Sequence, residues 1–104
     1  MRQALFQPGS IGRTELKNRI IYSSMLLRSS DGRGHFSDAA VQSLLMRAEQ
    51  GAGLITVPGL VSRPAADAAY GLSASIAEDS FIPHLKGIVD GIHAAGAKAM
   101  AQMG

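Results

Sequence analysis

The sequence predicts an α/β fold built on a parallel sheet. Three runs that favour strand, "RIIYSSM", "GLITV" and "AKAMAQM", alternate with two segments in which apolar residues recur at helical spacing. The first run is apolar without clean alternation, as expected of a strand covered on both faces. Strands alternating with helices imply right-handed βαβ crossovers. Two closures satisfy that order: an open doubly wound sheet or a (β/α)8 barrel. The glycine-rich fingerprint of dinucleotide-binding folds is absent after the first strand, where "SSMLLRSS" stands, and this weighs against the first closure.

Each element has its own signals. Residues 4–20 carry Pro8-Gly9 and Gly12 between short apolar pieces, which predicts a small β-hairpin ahead of the main fold. Ile20, Ile21 and Tyr22 favour a strand within Arg19–Met25. "RSSDGRGHFS", residues 28–37, is a loop with an Asp-Gly turn signal. Ser37 is the expected cap of the first main helix, with Asp38 in its first turn, where negative charge suits the helix dipole. Val41, Leu44, Leu45 and Ala48 form its buried stripe, and Gly51 ends it. Ala40 stands where a capping box requires Glu or Gln. Gly53–Val57 is the second strand, with Pro58-Gly59 expected to end it. A long loop from about residue 60 to 79 precedes the second helix, and loops of that length are usually functional or mobile. Asp79 or Ser80 is the expected cap, Pro83 lies in the first turn, and Leu85, Ile88, Val89 and Ile92 form the stripe. Gly96 ends the helix, and the third strand follows.

Composition narrows the function. The 104 residues are 46% hydrophobic and 17% charged, which is globular composition with material for a core. There is no cysteine, so disulfides, zinc–thiolate sites and a cysteine nucleophile are excluded, which fits a reducing compartment. Net charge is +2, and the Lys and Arg residues are scattered without a basic run, which argues against nucleic-acid binding. No apolar run reaches membrane-spanning length, and "MRQALFQPGS" lacks the apolar core of a signal peptide. The expectation is one cytoplasmic domain over residues 1–104, without a membrane or nucleic-acid partner.

Three segments carry a family resemblance. "LFQPGSIGRTELKNRIIYSSM" resembles the opening of the old yellow enzyme or NADH:flavin oxidoreductase family, which includes the 2,4-dienoyl-CoA reductases. "MRAEQGAGLITV" is similar to that family's Arg-Ala-x-Gly-Gly-Ala-Gly-Leu-Ile segment. "GIVDGIHAAGAKAMAQM" resembles its helix-to-third-strand segment, terminal glutamine included. The three occur in order and in register over nearly the whole chain. The resemblance implies a (β/α)8 barrel that holds FMN at the C-terminal ends of its strands and is reduced by NAD(P)H. A barrel of that kind takes about 250 residues. The chain would therefore be the N-terminal portion of the barrel, a hairpin plus β-α-β-α-β, ending at the third strand. Its expected partners are a small-molecule substrate and the remainder of the barrel or a complementing chain.

The resemblance also implies flavin contacts. Ser23, Ser24, Met25 and Leu26, at the end of strand one, would lie against the flavin and offer backbone N–H groups near its reactive edge. Gly59 matches a small-residue position where a Cβ would crowd the ring. Gln102 matches the glutamine that reads the flavin pyrimidine, since an amide offers both donor and acceptor. Two departures stand out. Ser24 replaces the usual proline. Leu26 stands where relatives often carry Thr or Cys, so it makes no bond to the flavin carbonyl and excludes the cysteinyl link of relatives resembling trimethylamine dehydrogenase. The family's substrate-binding His or Asn pair, proton-donating Tyr and phosphate loops lie later in its sequence, so no catalytic residue and no metal ligand is assigned here.

Plainer readings stand beside these. Gln102 is otherwise a strand-end polar group, Met25 and Leu26 are core residues, and Ser23 and Ser24 bond local backbone. His35, His84 and His93 read as packed or surface histidines, and Arg28, Arg33 and Arg63 as solvated loop charges. Two functions follow. One is an FMN-dependent ene-reductase that passes hydride from NAD(P)H through FMN to an enone or enoyl thioester. The other is a non-catalytic assembly module or inactive fragment that forms homo-oligomers through open sheet edges.

Overall fold

The computed structural model of the chain describes residues 2–25, 30–62 and 74–103. A short helix α1, Arg2–Phe6, leads into an antiparallel hairpin of β1, Gly9–Ile11, and β2, Thr14–Leu16. The predicted hairpin is present, but it turns at Gly12, with φ +58, whereas Pro8-Gly9 sits at its start. Strand β3, Ile21–Tyr22, then begins the main sheet. Helix α2, Asp38–Glu49, leads to β4, Leu54–Leu60, and helix α3, Ile82–Ala94, to β5, Lys98–Met103.

The three strands form a parallel sheet in the order β3-β4-β5. Ile21 pairs with Leu54, and Leu54 with Lys98. Ile55 and Val57 of β4 pack with Leu44 and Ala48 of α2, Ile88 and Ile92 of α3, and Ala97 in one buried cluster. The two helices therefore share one face of the sheet. Gly91 brings them close: a Cβ there would meet Leu45 Cδ2 at 2.6 Å. Because side chains alternate along a strand, Leu54 and Thr56, and Lys98, Met100 and Gln102, face the other side. That helix-free side corresponds to the lumen of a barrel.

Several expectations are corrected. Strand one was expected over Arg19–Met25, yet only Ile21–Tyr22 pair with β4, and Ser23 to Met25 depart from the sheet. Pro58-Gly59 does not end the second strand. Both lie inside β4, where the register shifts between Val57 and Leu60. Such an irregularity tolerates a proline without an N–H and uses a glycine at positive φ, here +59. Asp79 and Ser80 do not cap the second helix; with Phe81 they form a 3-10 turn, and buried Phe81 is the residue at the N-cap. Of the predicted α2 stripe, Leu44 and Ala48 are fully buried, and Val41 and Leu45 only partly, because Ala40 takes part of the buried face. The Ser37 cap stands as expected: its side chain accepts from the Ala40 N–H at 3.2 Å.

Distant polar bonds join the ends of the elements. Asn18 Nδ2 donates to Gly51 O at 2.6 Å, and Asn18 Oδ1 accepts from the Ile20 N–H at 3.1 Å. This buried amide ties the end of α2 to the start of β3. Lys17 Nζ donates to Ala95 O at 3.1 Å, placing a cation at the carbonyl end of α3. Arg47 on α2 lies over the Tyr22 ring, 4.9 Å from its centroid, and holds β3 to the helix layer.

Candidate flavin site at the strand ends

The candidate site is the C-terminal end of the parallel sheet on its helix-free side. Three groups arrive there from three strands. Ser23, Ser24 and Met25 follow β3, Gly59 lies in the irregular upper part of β4, and Gln102 projects from β5. Leu26 lies outside the described residues, as do Arg28 and Arg63.

One contact joins two of the predicted residues. The Ser24 hydroxyl donates to Gln102 Oε1. The two residues are 78 apart in sequence, and β4 runs between their strands. Neighbouring strands lie about 4.8 Å apart, so β3 and β5 are about 10 Å apart. A direct bond across that gap brings together the unpaired residues after β3 and the side chain of Gln102 on β5.

Around this polar pair the surface is apolar and open. Met25, which follows β3, and Met100, on the helix-free side of β5, are 59% and 48% exposed. Exposed apolar surface on the helix-free side offers a face that a flat aromatic ligand would cover. Methionine packs softly against ring systems. The donor set fits FMN: an amide for the pyrimidine edge, a glycine in place of a side chain, and an apolar floor. The Thr56 hydroxyl, deeper on the same side of β4, is buried and without a hydrogen-bond partner.

The loops above the site are joined to each other. Ser75 N–H donates to Gly34 O at 2.8 Å, linking the loop after β4 to the loop after β3. A second joint comes from residues that sequence reasoning set aside. The His35 and His84 rings stack at 4.4 Å, and His84 Nε2 accepts from the Phe36 N–H at 3.1 Å. His35 Nδ1 stands 3.4 Å from Asp31 Oδ2. Burial first, then the nearby His35, push His84 below the ordinary histidine value of 6.5, while Asp31 and Asp38 pull it back up. Burial raises the Asp31 carboxyl, but the N–H groups of Arg33 and His35 outweigh it and hold the acid below its ordinary value. No local sequence signal marks the histidine pair, whose members are 49 positions apart (84 − 35). Arg33 pairs with Asp31 at 3.7 Å from a largely exposed position. Among the described residues no group of three or more His, Cys, Asp or Glu is placed to hold a metal.

A parallel three-stranded sheet with both helices on one face has the architecture of the opening part of a (β/α)8 barrel. The chain belongs to the NADH:flavin oxidoreductase / NADH oxidase family, whose pattern it matches over residues 4–104. It is 38% identical over 99 residues to a metal reductase of Desulforamulus reducens, covering 95% of this chain and 14% of the relative. The chain thus spans about one-seventh of that relative. Its structure is similar to that of 2-naphthoyl-CoA reductase in complex with 2-naphthoyl-CoA. That match has a TM-score of 0.82 and 27% identity, over 99% of this chain and 16% of the reductase. It also resembles the old yellow enzyme of Trypanosoma cruzi, with a TM-score of 0.77 and 26% identity, over 97% of this chain and 26% of that one. These likenesses identify the fold as the β-hairpin and β-α-β-α-β part of such a barrel. No helix among the described residues is long and apolar enough to cross a membrane.

Proposed function

We propose that the chain forms the pyrimidine-side wall of an FMN site in an NAD(P)H-dependent oxidoreductase of the ene-reductase type, acting on an electron-poor alkene such as an enone or enoyl thioester. The observation that carries the flavin reading is the meeting of Ser24 and Gln102 above β4, within an exposed apolar surround. Gln102 recognises the pyrimidine edge, Gly59 leaves room for the ring, and backbone N–H groups at Ser23 to Met25 face its reactive side. Bound FMN supplies hydride transfer between the nicotinamide and the alkene. The protein's part is to orient the ring and to place donors where negative charge develops on reduction. The enoyl-thioester class is supported by the likeness to 2-naphthoyl-CoA reductase, whose crystallised ligand is an aromatic thioester of CoA. Further strands pairing with the free edges of β3 and β5 would supply the phosphate site, the substrate contacts and the proton donor.

The test is a visible absorbance spectrum of the purified chain prepared with FMN, repeated on the protein with the remaining strands supplied. A bound-flavin band that weakens in Gln102→Leu is the expected result. Unchanged flavin affinity in Gln102→Leu would remove Gln102 from the site. A protein that stays colourless with all strands present would overturn the flavin reading.

A further inference from the structure

The bond between Ser24 and Gln102 fixes more than the distance between two strands. A glutamine amide has two unlike ends, a carbonyl that accepts and an NH2 that donates, and a solvated glutamine presents both by rotating. Here Ser24 takes the carbonyl: its hydroxyl donates to Oε1. The NH2 arm diverges from the carbonyl arm in the amide plane, so it points away from Ser24. Gln102 is exposed and carries no other side-chain hydrogen bond among the described residues, which leaves that arm free for a ligand. Ser24 reaches it from the unpaired residues that follow β3, which ends at Tyr22. Gly59, at positive φ in the irregular part of β4, puts no side chain in the way.

We infer that Ser24 is a positioning residue that locks the Gln102 amide with its NH2 group toward the mouth of the site. Gln102 is then offered to a ligand as a hydrogen-bond donor for a carbonyl-type oxygen. The inference rests on the flavin reading for the identity of that ligand, where the acceptor is a pyrimidine carbonyl oxygen. It does not rest on that reading for the lock itself, which belongs to the ligand-free chain. A proline at position 24 has no hydroxyl and would leave the glutamine to orient itself. The serine therefore sets a donor polarity on this chain that a proline in its place would not. The bond between two accessible groups is weak in water and gains strength once a ring seated beside Met100 on the helix-free side excludes water from it.

The experiment compares the wild-type chain with Ser24→Ala and Ser24→Thr, without flavin and then with FMN. In the flavin-free chain labelled with nitrogen-15, the Gln102 side-chain NH2 of the wild type shows shifts displaced from those of a solvated glutamine and the relaxation of an ordered group. In Ser24→Ala the pair moves to the shifts and fast relaxation of a solvated glutamine, its two protons still separate because the amide C–N bond rotates slowly, and Ser24→Thr, which keeps the hydroxyl, restores the wild-type values. Backbone spectra of all three proteins confirm that the fold is unchanged. Identical amide signals in wild type and Ser24→Ala overturn the lock. In the flavin-competent protein, Ser24→Ala weakens FMN binding by about 3- to 10-fold and Ser24→Thr recovers it. Equal affinity in all three overturns the donor role. A wild type that binds no flavin yet keeps the serine-dependent amide signature supports the lock and overturns the flavin reading.

Discussion

Asn18 shows how much one side chain decides in this chain. It is 8% exposed, and its amide satisfies a carbonyl just past α2 and an N–H just before β3 at once. Gly53 is packed against it: a Cβ there would stand 2.6 Å from Asn18 Oδ1 and 2.9 Å from the Asn18 backbone oxygen. The backbone oxygen cannot swing away, so the added methyl must displace the chain. Gly53→Ala is expected to cost about 1–3 kcal/mol, as for other forced additions to packed sites. Asn18→Ala is expected to cost about 2 kcal/mol, because it leaves the Gly51 carbonyl and the Ile20 N–H without this partner. Chemical denaturation of the two variants against the wild type measures both; a change in midpoint too small to resolve for Gly53→Ala would show that the strand start relaxes freely. At this scale the sequence was readable where a residue acts on near neighbours. The Ser37 cap reaches three residues and was legible, whereas the bonds of Asn18 to Gly51 and Ser24 to Gln102 span 33 and 78 positions and left no local trace.

Among the elements, helix α2 follows its sequence signals closely, while β4 and α3 depart from theirs for physical reasons. Pro58-Gly59 looks like a stop because both residues disrupt a regular ladder. In β4 the ladder is already irregular there, so the strand carries both and pairs again at Leu60 with Met103. Asp79 and Ser80 look like caps, but a 3-10 turn places buried Phe81 at the helix start and moves the α-helix to Ile82. That start positions His84 to accept from Phe36, and so joins α3 to the loop after β3. The joint requires a neutral Nε2. With its pKa lowered in the folded chain, His84 binds a proton less readily than it does unfolded. Its contribution to stability is therefore present above the ordinary value of 6.5 and is lost as pH falls through that value toward the folded one. The groups facing it are His35, Asp31 and Asp38, and the two acids moderate the effect. His84→Asn keeps an acceptor without a titrating proton. The melting temperature of the wild type should fall between about pH 7 and 5 more steeply than that of His84→Asn. Parallel curves for the two proteins would show that His84 carries no proton linkage.

As a whole, the molecule is a sheet covered on one face. Leu44, Ile55, Ile88 and Ile92 are sealed between the sheet and two helices, while Ile21 and Met100 on the other side stay open. The sequence made the order of elements legible because each helix and strand carries its own period. The family resemblance singled out Gln102 and Gly59 as candidates, though not the contact that joins Ser24 to Gln102. The outer edges of β3 and β5 carry backbone groups without a strand partner among the described residues, next to that apolar face. Free parallel edges beside exposed methionines favour pairing with another chain. The 104-residue chain alone is therefore expected to self-associate, with a sedimentation coefficient that rises over about a tenfold increase in concentration. Met100→Lys places a charge on the open face beside the β5 edge, which is the way natural sheets block edge pairing. It should lower the association without moving the melting temperature at low concentration, because Met100 is 48% exposed and contributes little to the buried cluster. If Met100→Lys sediments as the wild type does, association runs through the β3 edge or the hairpin instead, and a charge at Ile21 becomes the variant that separates them.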